Sequence, residues 1–149
     1  MKYLLDTNIL LIYLRNQKTK DYIDQIYQPF SLPNLPLISV VTKGEIKSIG
    51  LQNKWSLSRL QSLDTFLNQL IIVDINAEDI IEKYAEIDAF SQGKLTTKPL
   101  GMTSRNMGKN DLWIAATAFI TDSKLMTMDA DFDHLKDEYF ELIKVELIK

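Results

Sequence analysis

The chain has 149 residues, of which 46% are hydrophobic and 25% are charged. These proportions are ordinary for a globular protein, and we predict a single domain that spans residues 1–149. The absence of cysteine excludes disulfides and zinc sites built from thiolates. The formal net charge is −3, so the surface as a whole does not attract polyanions. Asp6 interrupts the N-terminal apolar stretch, which is unlike a signal peptide, and no apolar run approaches the roughly 20 residues of a membrane helix. We therefore expect a cytoplasmic protein with no membrane contact.

Short apolar runs alternate along the chain with segments of helical periodicity. The runs that predict strands are Tyr3–Leu5, Leu37–Val40, Leu70–Val73, Lys124–Met128 and Glu141–Val145. The segments that predict helices are Asn8–Arg15, Lys20–Tyr27, Val41–Leu51, Ser58–Asn68, Ala77–Phe90 and Asn110–Thr121. Strands separated by helices indicate an α/β fold with a largely parallel sheet covered on both faces.

Two aspartates directly follow predicted strands. Asp6 ends the first strand, with Thr7 and Asn8 behind it, and Asp129 follows the run "KLMTM". In open α/β sheets ligands bind beyond the carboxyl ends of the strands, so both carboxylates belong at the binding edge. Each also has a purely structural explanation. Asp6 or Asn8 can cap the next helix, and Asp129 can hold the tight turn "DADFD".

The helical segment "VVTKGEIKSIGL" carries a glutamate on its apolar side. Val41, Glu45 and Ile49 are four residues apart and share one face, whereas the lysines lie on the other. Because an unpaired carboxylate on an apolar face is costly, Glu45 is a candidate site residue. Burial against a lysine, or an exposure that the pattern misses, is the alternative.

The segment "NDLWIAATAFI" predicts a helix that carries Asp111 on the same side as Ala115 and Ala118. These small residues indicate close packing on the sheet, which would turn Asp111 inward. A favourable charge in the first helical turn is the structural alternative, and Asn110 is a plausible cap.

Four carboxylates thus converge on one edge of one sheet. They repel one another unless protons or cations neutralise them. Hard oxygen ligands without histidine or cysteine favour Mg²⁺ or Mn²⁺, which activate water and stabilise the charge of phosphoryl displacement. This chemistry is typical of a metal-dependent nuclease.

A basic segment precedes Asp111. No acidic residue occurs between Asp88 and Asp111, while Lys94, Lys98, Arg105 and Lys109 give that stretch a charge of +4. It can bind the phosphates of a nucleic acid, or it can simply be a solvated loop. From charge and position we select Arg105 and Lys109 as candidate RNA phosphate contacts.

Four blocks of the chain, in this order, resemble the signature blocks of PIN-domain ribonucleases. They are "LLDTNIL", "SVVTKGEI", "KNDLWIAATA" and "LMTMDADFD", and together they span the chain from its first residue to Asp133. Size and organisation are similar to the VapC-type toxins of type II toxin–antitoxin systems. The resemblance implies a three-layer α/β/α sandwich with a mostly parallel sheet of about five strands.

The resemblance also implies a function and its residues. Asp6, Glu45, Asp111 and Asp129 would be an acidic quartet that holds Mg²⁺ or Mn²⁺ and cleaves RNA with a metal-activated water. Thr7, Asn8 and Thr127 would orient these carboxylates or the waters of the metal. Asp131 would either share the metal site or cap a short helix that begins at Phe132.

Partners follow from the same resemblance. VapC-type toxins form homodimers and are blocked by a small antitoxin protein, so we expect both here. The side chains expected at such surfaces are Trp55, Leu57, Tyr22 and Tyr27, and packing in the core explains them equally well.

Two rival functions remain. A catalytically silent PIN-like module would bind RNA or protein without cutting. A haloacid-dehalogenase-like phosphatase also begins with an aspartate after its first strand, but it needs an acid where this chain has Asn8. The only histidine, His134, is expected at the surface.

Overall fold

The computed structural model describes residues 1–149 and contains one five-stranded sheet, in which every pairing is parallel. The strands are β1 (Lys2–Leu5), β2 (Leu35–Ser39), β3 (Ile71–Val73), β4 (Lys124–Thr127) and β5 (Leu142–Lys144). The helices are α1 (Thr7–Arg15), α2 (Gln17–Ile26), α3 (Val40–Gln52), α4 (Leu57–Leu67), α5 (Glu78–Ser91) and α6 (Lys109–Ile120), with a 3₁₀ helix at Ala130–Leu135. The α/β fold predicted from the sequence is confirmed.

The sheet is buried on both faces because successive residues of a strand point in opposite directions. In β1, Leu4 packs into one core, while Tyr3 and Leu5 pack into the other. The first core has 17 buried residues and lies under α5 and α6. The second has 15 and lies under α1 to α4. Two cores of similar size make this a three-layer α/β/α sandwich.

The predicted boundaries hold to within one or two residues except at the start of α2. That helix begins at Gln17 rather than Lys20, because the side chain of Asn16 accepts a hydrogen bond of 3.1 Å from the backbone of Thr19. Asn110 is not the cap of α6: the cap position is Gly108, and Asn110 is already the second helical residue.

The four apolar residues considered as interface candidates fall into two groups. Leu57 is 73% exposed and Tyr22 is 43% exposed. Trp55 is buried, with the Arg59 guanidinium 4.5 Å from its ring centre, and Tyr27 is partly buried against Tyr3. Only Leu57 and Tyr22 therefore present exposed apolar surface.

None of the helices combines the length and the apolar character that a membrane crossing requires.

Candidate metal centre

The order of the strands explains where polar residues gather. The strand order is β3-β2-β1-β4-β5, so β2 and β3 lie on one side of β1, and β4 and β5 lie on the other side. Beyond the carboxyl ends of β1 and β4 the connections diverge, which leaves a crevice where α/β proteins bind ligands. Asp6 follows β1 directly, and its backbone N–H donates to the Met126 carbonyl of β4 at 3.0 Å.

Asp6 is only 6% exposed and is held by three donors. Its Oδ1 accepts from the backbone N–H of Thr7 at 2.8 Å, and its Oδ2 accepts from Thr127 Oγ1 at 2.7 Å and from Asn8 Nδ2 at 3.4 Å. Burial raises the pKa of Asp6, and these hydrogen bonds partly oppose that rise. Asp6 therefore caps α1, as its structural alternative predicted, and it also lies at the edge formed by the carboxyl ends of the strands.

The other predicted polar residues connect this carboxylate to its neighbours. Thr7 Oγ1 donates to Glu45 Oε1 at 3.3 Å. Thr127 Oγ1, while donating to Asp6, accepts from the backbone of Asp129 at 3.0 Å. Asn8 Oδ1 accepts from the backbone of Met128 at 3.1 Å. These bonds fix the positions of the carboxylates relative to one another.

Glu45 is half-buried on α3 and faces the same site. Burial raises its pKa, the negative charge of Asp6 raises it further, and contacts with Thr7 and Asn110 lower it in part. The alternative of a lysine partner is wrong, because none of the six salt bridges includes Glu45.

Asp111 has the most strongly perturbed carboxylate. It lies in the first turn of α6, whose residues Ile114, Ala115 and Ala118 are fully buried, as the pattern of small residues predicted. The pKa of Asp111 is raised to about 7, first by burial and then by the surrounding negative charges. Those charges belong to Asp6, Asp129, Asp131 and Glu45.

Three carboxylates come closest together. One oxygen each from Asp111, Asp129 and Asp131 lies within 4.8 Å of the others. The alternatives for the last two residues are resolved: Asp129, not Asp131, caps the 3₁₀ helix, since its Oδ1 accepts from the Asp131 backbone at 2.9 Å. Asp131 is exposed and its side chain is free to join the cluster.

We call Asp6, Glu45, Asp111, Asp129 and Asp131 the acidic cluster. None of the six salt bridges of the structure includes any of its members. Its negative charge is therefore not neutralised within the chain. Oxygen donors with neither nitrogen nor sulfur among them suit hard divalent cations such as Mg²⁺ and Mn²⁺.

The basic segment is divided by the fold. Arg105 and Lys109 are exposed, and Lys109 begins α6 two residues before Asp111. Lys98 is instead engaged elsewhere: its Nζ lies 3.2 Å from Glu138 Oε2 and 4.3 Å from the ring centre of Tyr139. The charge available to a bound anion is thus smaller than the sequence indicated.

Two residues depart from expectation. His134 is not at the surface: it is 6% exposed, and its Nε2 lies 2.7 Å from Ser91 Oγ. Sequence patterns could not reveal this, because it depends on how the 3₁₀ helix packs on α5. Asn110, expected to be a helix cap, contributes a contact to Glu45 instead. Its position next to Asp111 was the only available signal.

Comparison with known proteins agrees with this geometry. Residues 3–138 match the family model described as "PIN domain". No match is found among curated protein sequences.

Similar folds occur in solved toxin–antitoxin complexes. The chain is 24% identical to a chain of VapBC2 from Rickettsia felis bound to a promoter DNA fragment, with 98% of this chain and all of the other covered and a TM-score of 0.77. It is 19% identical to a chain of VapBC-1 from nontypeable Haemophilus influenzae, covering 97% and 98%, with a TM-score of 0.71. For DNA-bound VapBC from Salmonella typhimurium the identity is 17%, the coverage 97% and 98%, and the TM-score 0.67. These likenesses show the fold, and the match over most of its length shows that the chain belongs to the PIN-domain family.

Proposed function

We propose that this protein is a metal-dependent endoribonuclease, which hydrolyses phosphodiester bonds of RNA with Mg²⁺ or Mn²⁺. The observation that carries the proposal is the acidic cluster. Its charge has no partner within the chain, and the pKa of Asp111 is raised to about 7 by burial and by its neighbours. Such a cluster is costly for a metal-free protein, and a divalent cation removes that cost.

The donor set fits such a cation. Asp111, Asp129 and Asp131 would hold it, since their oxygens already lie within 4.8 Å of one another. Asp6 and Glu45, which were also expected to be ligands, lie outside this closest group and would complete the negative environment. When bound, a divalent cation lowers the pKa of water and stabilises the charge that develops on the phosphate.

The chain's own residues would position the carboxylates and the substrate. Thr127 holds both Asp6 and the backbone of Asp129, and Thr7 holds Glu45. Asn8 fixes the backbone at Met128. The exposed cations Arg105 and Lys109 would bind RNA phosphates on the side of α6.

The experiment is RNA cleavage with and without EDTA by wild type, Asp6→Asn and Asp122→Asn. Asparagine remains a good helix cap, so the first variant removes the charge at the site without removing the cap. Asp122 is exposed between α6 and β4, at the opposite end of the sheet, and is the matched control. We expect wild type and Asp122→Asn to cleave RNA when metal is present. We expect no cleavage in EDTA and none by Asp6→Asn. RNA binding without any metal-dependent cleavage would favour the catalytically silent module.

We further infer that the protein acts in the cytoplasm as the toxin of a toxin–antitoxin pair, as a homodimer blocked by a small antitoxin. The supporting observation is the similarity of the fold, over nearly the whole chain, to VapBC complexes. Expression in a bacterial host should arrest growth, whereas Asp6→Asn should not. Co-expression of a short open reading frame from just upstream should relieve the arrest and yield a complex that co-purifies. Growth arrest by Asp6→Asn at the same protein level would contradict this role.

A further inference from the structure

A groove of about 550 Å³ runs along α3 beside the acidic cluster. It begins at Glu45 and extends past Ser48 to Gln52, with Asn110 of α6 on its other side. Val41 and Ile49 add partly exposed apolar surface. We call this the α3 groove. It is shallow and open to solvent, and it is continuous with the candidate metal centre through Glu45.

Gly44 lines the α3 groove and has no explanation within the fold. It lies inside a 13-residue helix, where glycine is less favourable than alanine. A Cβ placed on it would meet no heavy atom within 4 Å, beyond its chain neighbours and its own helix backbone. Gly50 in the same helix differs, because a Cβ there would lie 3.0 Å from the Trp55 ring. Packing thus accounts for Gly50 but not for Gly44, and the open backbone at Gly44 suits the close approach of another molecule.

The charge of the groove indicates which part of an RNA it takes. No lysine or arginine lines it, and its one charged residue is Glu45. A phosphate would therefore be repelled, whereas a neutral base would not. The exposed cations Arg105 and Lys109, before and at the start of α6, do not line the groove.

The lining also offers what an unpaired base needs. Proteins recognise single-stranded RNA by contact with the face of a base and by hydrogen bonds to its edges. Val41 and Ile49 supply apolar contact, and the amides of Gln52 and Asn110 each provide both a donor and an acceptor. Gln52 is held in place, since its Nε2 donates to Ser48 Oγ at 2.8 Å.

We propose that the α3 groove binds one unpaired nucleobase of the RNA, next to the phosphodiester that is cleaved. Gly44 lets the base approach the helix backbone, and Gln52 and Asn110 read its edge. This inference rests on the proposed ribonuclease function and adds to it the residues that select the cleavage site.

The test adds side chains at Gly44 and measures stability and RNA recognition separately. Gly44→Ala is expected to raise Tm by about 1–4 °C, because alanine is the better helix former. Both Gly44→Ala and the bulkier Gly44→Leu should weaken RNA recognition, the second more strongly. For the leucine variant we expect kcat/KM to fall by about tenfold or more, because its side chain would fill the space that the base occupies. Leu51→Ala is the control on the same helix, since Leu51 is 72% exposed and lies outside the groove.

A binding measurement keeps the test independent of cleavage. The Kd of a single-stranded oligoribonucleotide is measured with Asp6→Asn protein, alone and combined with Gly44→Leu or Leu51→Ala. Binding that is weakened by Gly44→Leu but not by Leu51→Ala would support the proposal, even if no RNA is cut and the ribonuclease function fails. Sequencing of cleavage products adds specificity: Gln52→Ala or Asn110→Ala should change the base preferred beside the cut. The proposal would be overturned if the Asp6→Asn protein had the same Kd with Gly44→Leu as with Leu51→Ala. It would also be overturned if Gly44→Leu kept the kcat/KM and the cut sites of wild type.

Discussion

Replacing Asp111 by asparagine should stabilise the metal-free protein. The folded state raises the pKa of this carboxyl from 3.8 to about 7, so above pH 7 it carries a charge that folding disfavours. A difference of this size corresponds to about 4 kcal/mol when the group is fully ionised. Because the side chain is only half-buried, solvent screening reduces this to roughly 2 kcal/mol. Loss of a favourable charge in the first turn of α6 offsets about 0.5 kcal/mol, leaving a net gain of about 1–2 kcal/mol.

The pH dependence gives the prediction its sign. Below pH 3.8 the carboxyl is protonated in both the folded and the unfolded state and contributes nothing. As pH rises from 3.8 toward about 7, the unfolded state loses its proton first, so wild type loses stability relative to the variant. The advantage of Asp111→Asn should therefore be largest at pH 8 and should shrink as the solution is acidified.

Urea unfolding in EDTA, followed by circular dichroism between pH 8 and pH 4.5, measures this directly. At pH 8 the gain corresponds to a Tm increase of about 2–8 °C. Saturating Mn²⁺ should reverse the order, because the cation stabilises wild type more than the variant. Asp122→Asn, which removes an aspartate far from the cluster, should show no such dependence. A variant less stable than wild type at pH 8, or a difference independent of pH, would refute the reasoning.

Three further predictions concern the surroundings of the cluster. Thr127→Val removes the 2.7 Å hydrogen bond to Asp6, which leaves a buried carboxylate oxygen without this donor. We expect the free energy of unfolding, measured in urea, to fall by about 1–3 kcal/mol. An unchanged urea midpoint would show that the bond contributes nothing to stability. His134→Gln tests the buried imidazole, whose pKa is lowered by burial and by Arg105. As pH falls below about 6.5 the unfolded state takes up the proton first, so wild type should lose stability relative to the variant, and parallel curves would contradict this. Arg105→Ala combined with Lys109→Ala should raise KM for RNA and reduce the salt dependence of binding by about two phosphate contacts, whereas an unchanged salt slope would remove both residues from the RNA surface.

The fold could be predicted from the sequence because its signals are local. Alternating apolar runs and helical patterns define the strands and helices. In β1, the residues that point to either face of the sheet are apolar, as expected for a sheet covered by helices on both faces. The start of α2 was missed because the capping role of Asn16 depends on one side-chain hydrogen bond, which periodicity does not report.

The candidate site was predictable only in part. The sheet-edge rule brings Asp6 and Asp129 together, and the apolar faces of two helices bring Glu45 and Asp111 toward them. The sequence offered Asp131 both as a metal ligand and as a helix cap, and it could not decide between them, because the backbone position of Asp131 is set by the cap at Asp129. The burial of His134 depends on packing between elements far apart in sequence, and no local pattern carries that information.

Single-turnover cleavage of RNA across a Mn²⁺ titration, with wild type and Asp129→Asn, tests the central claim most directly. Asparagine keeps the cap of the 3₁₀ helix, so the comparison removes one charge from the cluster. We predict no cleavage in EDTA, saturation by Mn²⁺ for wild type, and at least a tenfold higher Mn²⁺ requirement or loss of cleavage for the variant. Cleavage that persists in EDTA, or identical Mn²⁺ curves for the two proteins, would contradict the account.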